Sequence, residues 1–211
     1  MTSHSPDHTL AAESTFDDTL GILELPAPDI DARISLRTAL ERRSSTRSFR
    51  REHLPMQAIS ELLWAGSGIN RMMAGGRTAP FRHLADEVEI YAAFPNGVYR
   101  YEALAHRLIL RRAIDIRALT GTQDFVRDAP LNLIYVTLKH ETASSHTRSI
   151  PICSIVSAGS IAQNVALYCA ATGLASVVRE TLDVAQLANA LGLSGIEFPL
   201  LAQTVGLPVN A

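Results

Sequence analysis

The sequence predicts a domain that mixes helices with strands, and three observations carry that reading. Apolar residues recur at helical spacing in residues 34–43 and again after Pro55. They alternate with polar ones over 87–94, as a half-buried strand requires. Residues 131–138, LNLIYVTL, are apolar on both faces and belong in the middle of a sheet. A chain of 211 residues fits one domain and buries a sizeable core.

In chain order, residues 1–20 are polar and acidic with little to bury, a disordered or partner-draped tail ahead of one domain over 21–211. Gly21 to Pro28 is an extended strip stiffened by two prolines, either an arm across a neighbouring subunit or a plain linker. Residues 34–43 form the first helix, with Ser35 as N-cap. Pro55 opens a second helix that carries Ile59, Leu62 and Leu63 to about Trp64 and stops at Gly66-Ser67-Gly68. That Gly-x-Gly follows a helix rather than a strand, so it is a helix stop and not a dinucleotide loop. Residues 70–84 read as a mobile loop. The strand over 87–94 turns at Pro95-Asn96-Gly97 and returns through 98–101 as a hairpin. Residues 115–120 make a short helix ended by Gly121, and 140–150 a polar loop. Residues 158–172 form a helix apolar nearly all round, buried centrally or at a subunit interface. Gly159, Ala162, Ala166 and Ala170 run along one side of it and permit close backbone approach. After the Gly173-Leu174-Ala175 cap, 176–180 is a strand or extended loop, 184–191 the last helix and 199–205 the last strand.

Composition excludes several function classes. A net charge of −2 argues against a dedicated nucleic-acid binder. No stretch approaches the ~18 to 20 continuous apolar residues of a membrane span, and no signal peptide is visible, so a reducing, cytoplasmic setting is expected. Cys153 and Cys169 have neither metal spacing nor a disulfide framework and read as buried structural thiols. His140 and His146 lack partners at ligand spacing, so no metal site is expected. No Ser-His-Asp, Cys-His or paired-carboxylate arrangement stands out.

The stretch richest in chemistry is residues 41–50, ERRSSTRSFR. It offers Arg42, Arg43, Arg47 and Arg50 as cations and Ser44, Ser45, Thr46 and Ser48 as hydroxyls, with Phe49 placed to anchor its far end. Guanidinium groups match phosphate oxygens bidentately, and hydroxyls complete the shell of a dianion. Two readings stand on these residues alone: a solvated basic turn, or a loop that grips one phosphate.

Arg43-x-Ser45-x-Arg47-x-Phe49 behind an amphipathic helix resembles the flavin-phosphate segment of the FMN-dependent nitroreductase superfamily. Further stretches are similar to its branch of azoline-oxidising dehydrogenases: Leu25-Pro26-Ala27-Pro28, Leu62-Leu63-Trp64-Ala65 with Arg77-Thr78-Ala79-Pro80, Gly97-Val98-Tyr99-Arg100-Tyr101, and Ala158-Gly159-Ser160-Ile161-Ala162-Gln163-Asn164 with Gly173-Leu174-Ala175. The resemblance implies an α+β fold, a central antiparallel sheet wrapped by helices, and an intertwined homodimer with two FMN sites at its interface. By position, Arg43, Ser44, Ser45 and Arg47 would hold the phosphate and ribityl chain, and Gln123 would meet the pyrimidine edge of the ring. Val178, Arg179 and Glu180 would run past N5 and offer backbone N–H groups. Pro80, Phe81 and Arg82 would come from the other subunit. The implied chemistry is hydride transfer at the flavin, with NAD(P)H as reductant and a small-molecule substrate, and no side-chain acid or base.

The chain departs from the family pattern where Phe81, Arg82, His83 and Leu84 replace small polar residues and where Glu180 replaces a frequent Gly. It also lacks the C-terminal Lys or Arg that many relatives add to the phosphate site. These departures motivate an alternative reading, a flavin-poor member of the fold serving as a binding or scaffold subunit.

Overall fold

The structure is a computed structural model that describes residues 16–17, 21–30, 34–80, 88–142 and 145–209. In chain order its elements are β1 (Phe16–Asp17), β2 (Ile22–Glu24), α1 (Leu36–Arg42), α2 (Met56–Ser67), β3 (Ile69–Arg71), β4 (Gly76–Arg77), β5 (Glu89–Phe94), β6 (Gly97–Glu102) and β7 (Arg107–Arg112). There follow α3 (Phe125–Asp128), β8 (Leu131–Leu138), β9 (His140–Thr142), β10 (Ser145–Ser149), α4 (Ile152–Thr172), β11 (Ala175–Arg179), α5 (Val184–Leu191) and β12 (Glu197–Gly206). The main sheet runs β1-β2-β7-β6-β5-β8-β12-β11, and each neighbouring pair is antiparallel.

The apolar run of β8 does what it predicts: the strand lies between β5 and β12 and is buried from Leu131 to Thr137. Its period of two splits the core. Leu131, Leu133 and Tyr135 face α2 and α4, meeting Leu62, Leu63, Ile161 and Val165. Ile134 and Val136 face the other side, where Leu187 and Leu191 of α5 cover them with Tyr91 and Ala93. Helices therefore lie on both faces of an antiparallel sheet. Buried polar groups are tied across the layers: Tyr135 donates to Gln203 Oε1, and Gln203 Nε2 donates to Ala162 O of α4 at 3.2 Å.

Local signals set most boundaries. Ser35 caps α1 by accepting from Thr38 N, and Asp183 caps α5 by accepting from Gln186 N. Gly173 and Gly192 end α4 and α5 in the left-handed conformation, φ 79° and 66°. Pro199 is tolerated in β12 because it sits at a bulge.

Several expectations are corrected. The 21–28 strip is neither linker nor detached arm: β2 pairs with β7 of the same chain, and Ser60 Oγ donates to Pro26 O at 2.6 Å. Within 70–80 the supposed loop folds back as the β3–β4 hairpin around a 3₁₀ turn at Met72–Ala74, while 81–84 lies outside the described residues. The 140–150 loop is likewise a hairpin, β9–β10. β5 is buried on both faces because α5 covers the second. The 115–120 segment holds only a 3₁₀ turn, Arg117–Leu119. β7 and α3 give no sequence signal strong enough to predict. α2 runs on through Gly66 and Ser67 and is capped at Gly68.

α4 begins at Ile152, behind Pro151. By length and apolarity it is the one described helix of the kind that crosses a membrane, yet half of its most apolar window is buried within the protein. On its small-residue side, nothing among the described residues lies within 4 Å of a Cβ built on Gly159, while Ala162 and Ala166 are buried. α2 approaches α4 closely at Gly66, where a Cβ would stand 3.0 Å from Val165 Cγ2.

Candidate functional site

The basic turn is held in place at both ends. At its start, Arg43 is the C-cap of α1 and its N–H donates to Ala39 O at 2.9 Å. At its end, Arg50 N donates to Leu207 O at 2.9 Å, and the Phe49 ring lies 5.6 Å from that of Phe125. In between, Thr46 N donates to Ser176 O at 3.0 Å and Ser45 bridges Ser176 in parallel, so the turn docks on the outer edge of β11.

That docking fixes which way β11 presents its backbone. Ser176 turns its carbonyl outward, and alternation along the strand turns the amide and carbonyl of Val178 outward too, while Val177 and Arg179 bond toward β12. Here the expectation for Arg179 changes. Its N–H faces the neighbouring strand, and what it brings to the site is its side chain.

A cleft of about 310 Å³ opens beside the turn, lined by Arg47, Gln123, Phe125, Val178, Arg179 and Glu180 among others. Arg42, Arg43 and Arg47 are exposed and form no ion pair among the described residues, in contrast to Arg37 with Glu41 and Arg51 with Asp128. Among the described residues their guanidiniums are uncommitted. At the back of the cleft the Arg179 guanidinium is buried and donates to Thr120 O, to Asn132 Oδ1 at 3.0 Å and to Thr204 Oγ1 at 2.9 Å. Burial pushes its pKa down to about 10, so it stays charged at neutral pH. Gln123 Oε1 and Arg179 Nε are buried without a partner among the described residues. Glu180, in the same lining, is exposed.

The nitroreductase family model matches residues 40–207. The chain belongs to the nitroreductase family. Among solved structures, this nitroreductase-family chain is similar to a protein from Ralstonia eutropha JMP134 assigned as a nitroreductase, with 37% identity over the whole of both chains and a TM-score of 0.81. A protein from Anabaena variabilis ATCC 29413, also assigned as a nitroreductase, is 20% identical with a TM-score of 0.72; the match takes in 98% of this chain but only 45% of that one. The Escherichia coli microcin synthetase McbBCD complex, solved with truncated pro-MccB17, shares the fold at 19% identity and a TM-score of 0.66, over all of this chain and 85% of that one. No curated protein matches. The chain is therefore a nitroreductase-family oxidoreductase, in a family that generally uses FMN with NAD(P)H.

The donor set suits FMN. Uncommitted guanidiniums beside exposed Ser44 and Ser45 suit a phosphate dianion. The orphaned acceptor on Gln123 suits an imide N–H such as the pyrimidine edge of the ring carries. The cleft volume lies at the low end of the ~300–1,000 Å³ range of small-molecule sites. Of the residues singled out by resemblance, Arg47, Gln123, Val178, Arg179 and Glu180 line the cleft, and Ser45 stands in the turn docked against it. Arg43 and Ser44 lie in the same turn but do not line the cleft. Pro80 is elsewhere, accepting at 2.9 Å from Ser157 Oγ of α4, and Phe81 and Arg82 lie outside the described residues.

Sequence reasoning missed Gly121, Thr120, Asn132 and Thr204. A Cβ on Gly121 would stand 2.1 Å from Arg179 Nη1 and 2.8 Å from Gln123 Oε1, so only glycine leaves room for both. The available signal was Asn132, a lone amide inside an otherwise apolar central strand.

Proposed function

We propose that this chain is an FMN-dependent oxidoreductase that moves hydride between NAD(P)H, or a small substrate, and the flavin N5. The direction is reduction of a nitro compound or quinone, or desaturation of a small metabolite or modified peptide. The observation that carries the reading is convergence: Arg47, Gln123 and the run Val178-Arg179-Glu180, three stretches far apart in sequence, line one cleft.

When bound, FMN supplies the redox chemistry; the chain binds, orients and excludes water. In this reading Arg43, Ser44, Ser45 and Arg47 hold the phosphate and ribityl chain. Gln123 fixes the pyrimidine edge, and the outward backbone of Val178 addresses the ring beside the apolar wall of Phe125. Two copies complete each site as a homodimer, the second contributing Pro80, Phe81 and Arg82. Two observations support that. Pro80 sits against α4 rather than in this chain's own cleft. Ile152, Ile155 and Val156 of α4, with Leu36 and Leu40 of α1, leave apolar side chains exposed.

The test is an absorption spectrum of the purified protein, followed by NAD(P)H consumption with a quinone or nitrofuran. The visible absorption bands of a bound flavin and turnover of ~1 per second or faster are expected. Colourless protein with no melting shift on adding FMN refutes the reading and favours the scaffold alternative.

A further inference from the structure

Arg179 is a cation buried without an anion among the described residues. Only 6% of it is exposed, and its partners, Thr120 O, Thr120 Oγ1, Asn132 Oδ1 and Thr204 Oγ1, are all neutral. The cage is built for it. Thr204 gives its proton to Asn132 Oδ1, which turns a lone pair to the guanidinium, and Asn132 Nδ2 is committed to Val126 O at 2.7 Å. Phe125 presents its ring 5.9 Å from the guanidinium carbon. Keeping a charge here opposes folding, since burying an unpaired ion is costly and an apolar side chain fills such a site more favourably. Packing alone therefore does not account for it.

The charge stands at the wall of the candidate flavin cleft, next in sequence to Glu180. The two charges are not equal in effect. Glu180 is exposed and screened by water and salt, whereas the Arg179 charge acts through protein. Of these two charges, the arginine acts more strongly on the cleft.

We propose that Arg179 is a fixed counter-charge that favours the anionic reduced form of a bound isoalloxazine over its neutral oxidised form. This rests on the FMN reading above. On reduction, two electrons and one proton pass from NAD(P)H to the neutral ring, which is left with one negative charge, and NAD(P)⁺ departs. The arginine neither gives nor takes a proton in this step. It offsets the anion at Glu180 that would otherwise oppose reduction.

The experiment is the midpoint potential of protein-bound FMN, read against a reference dye, in wild type, Arg179→Lys and Arg179→Met. Loss of the charge in Arg179→Met is expected to weaken the reduced form ten- to a hundredfold relative to the oxidised one, a fall of ~30 to 60 mV for a two-electron couple. Arg179→Lys, which keeps a charge, stays near wild type. Asn132→Asp gives the same reading without removing the arginine: it sets a carboxylate beside the guanidinium, loses the bond to Val126 O, and lowers the potential in the same direction. It stands in if Arg179→Met does not fold. An unchanged potential in Arg179→Met or Asn132→Asp with FMN bound, or equal shifts in the Lys and Met variants, overturns the inference and leaves the FMN reading intact. Wild-type protein that retains no FMN overturns the FMN reading, and this inference with it.

Discussion

Arg47→Ala separates a phosphate grip from a merely basic surface. The Arg47 side chain lines the cleft, is exposed, and forms no ion pair among the described residues. Its removal leaves no buried partner unsatisfied, so stability should change by no more than about 0.5 kcal/mol. Binding is different. A hydrogen bond to a charged group is worth ~1.5–3 kcal/mol, which weakens FMN ~10- to 150-fold. Exposure and salt screening place the expected loss toward the lower end of that range. Riboflavin supplies the control, because it carries the same ring and ribityl chain without the phosphate. Titrations of wild type and Arg47→Ala with both ligands, followed by flavin fluorescence, form a cycle in which the loss appears for FMN and vanishes for riboflavin. Equal losses for both ligands would mean that Arg47 touches the ring or ribityl chain. An unchanged FMN affinity would remove Arg47 from the site and refute the assignment of the turn.

Two other perturbations test the scaffold. His106 lies between Ser60 Oγ (2.7 Å) and Tyr101 OH (2.9 Å), and because Ser60 spends its proton on Pro26 O, the imidazole donates from Nε2 and accepts at Nδ1. Burial lowers its pKa, so the unfolded chain takes up the proton first. Its contribution to stability is present above the ordinary histidine pKa of ~6.5 and is lost as pH falls from there through the lower folded value. Urea melts on descending pH should show a loss bounded at about 1.4 kcal/mol per pH unit, and His106→Asn, which tolerates the φ of 51°, should flatten it; an unchanged slope rejects the assignment. Gly121→Ala drives a methyl into the Arg179 guanidinium and should cost ~1–3 kcal/mol in urea unfolding while weakening FMN; a neutral result means that the cage yields freely.

What was legible in the sequence is what short-range physics decides. Ser35, Pro55 and Gly173 mark helix ends because a side-chain cap, a fixed φ or a left-handed glycine decides them within a few residues. β8 was legible because burial on both faces erases alternation. β2 was not: three residues beside two prolines become a strand only because β7, more than eighty residues later, offers its edge. The β3–β4 and β9–β10 hairpins read as loops because neither sequence alternates apolar with polar residues.

The site divides along the same line. The turn from Arg43 to Phe49 is a local motif whose cations need only be exposed, so ten residues suffice to identify it. The Arg179 side of the cleft is assembled from the 120–123 segment, β8, β11 and β12, and no window of sequence contains it. Its trace was nonetheless present as a misfit, one amide in LNLIYVTL and one arginine in the buried strand ASVVR. Each alone contradicts its strand, since a buried amide or guanidinium demands partners. Together they satisfy each other across the sheet. When two polar residues break the pattern of strands that must be central, their mutual contact is the economical explanation, and the face on which they meet is where a ligand site should be sought. Here the cleft lies beside that contact, walled by Gln123 and Glu180.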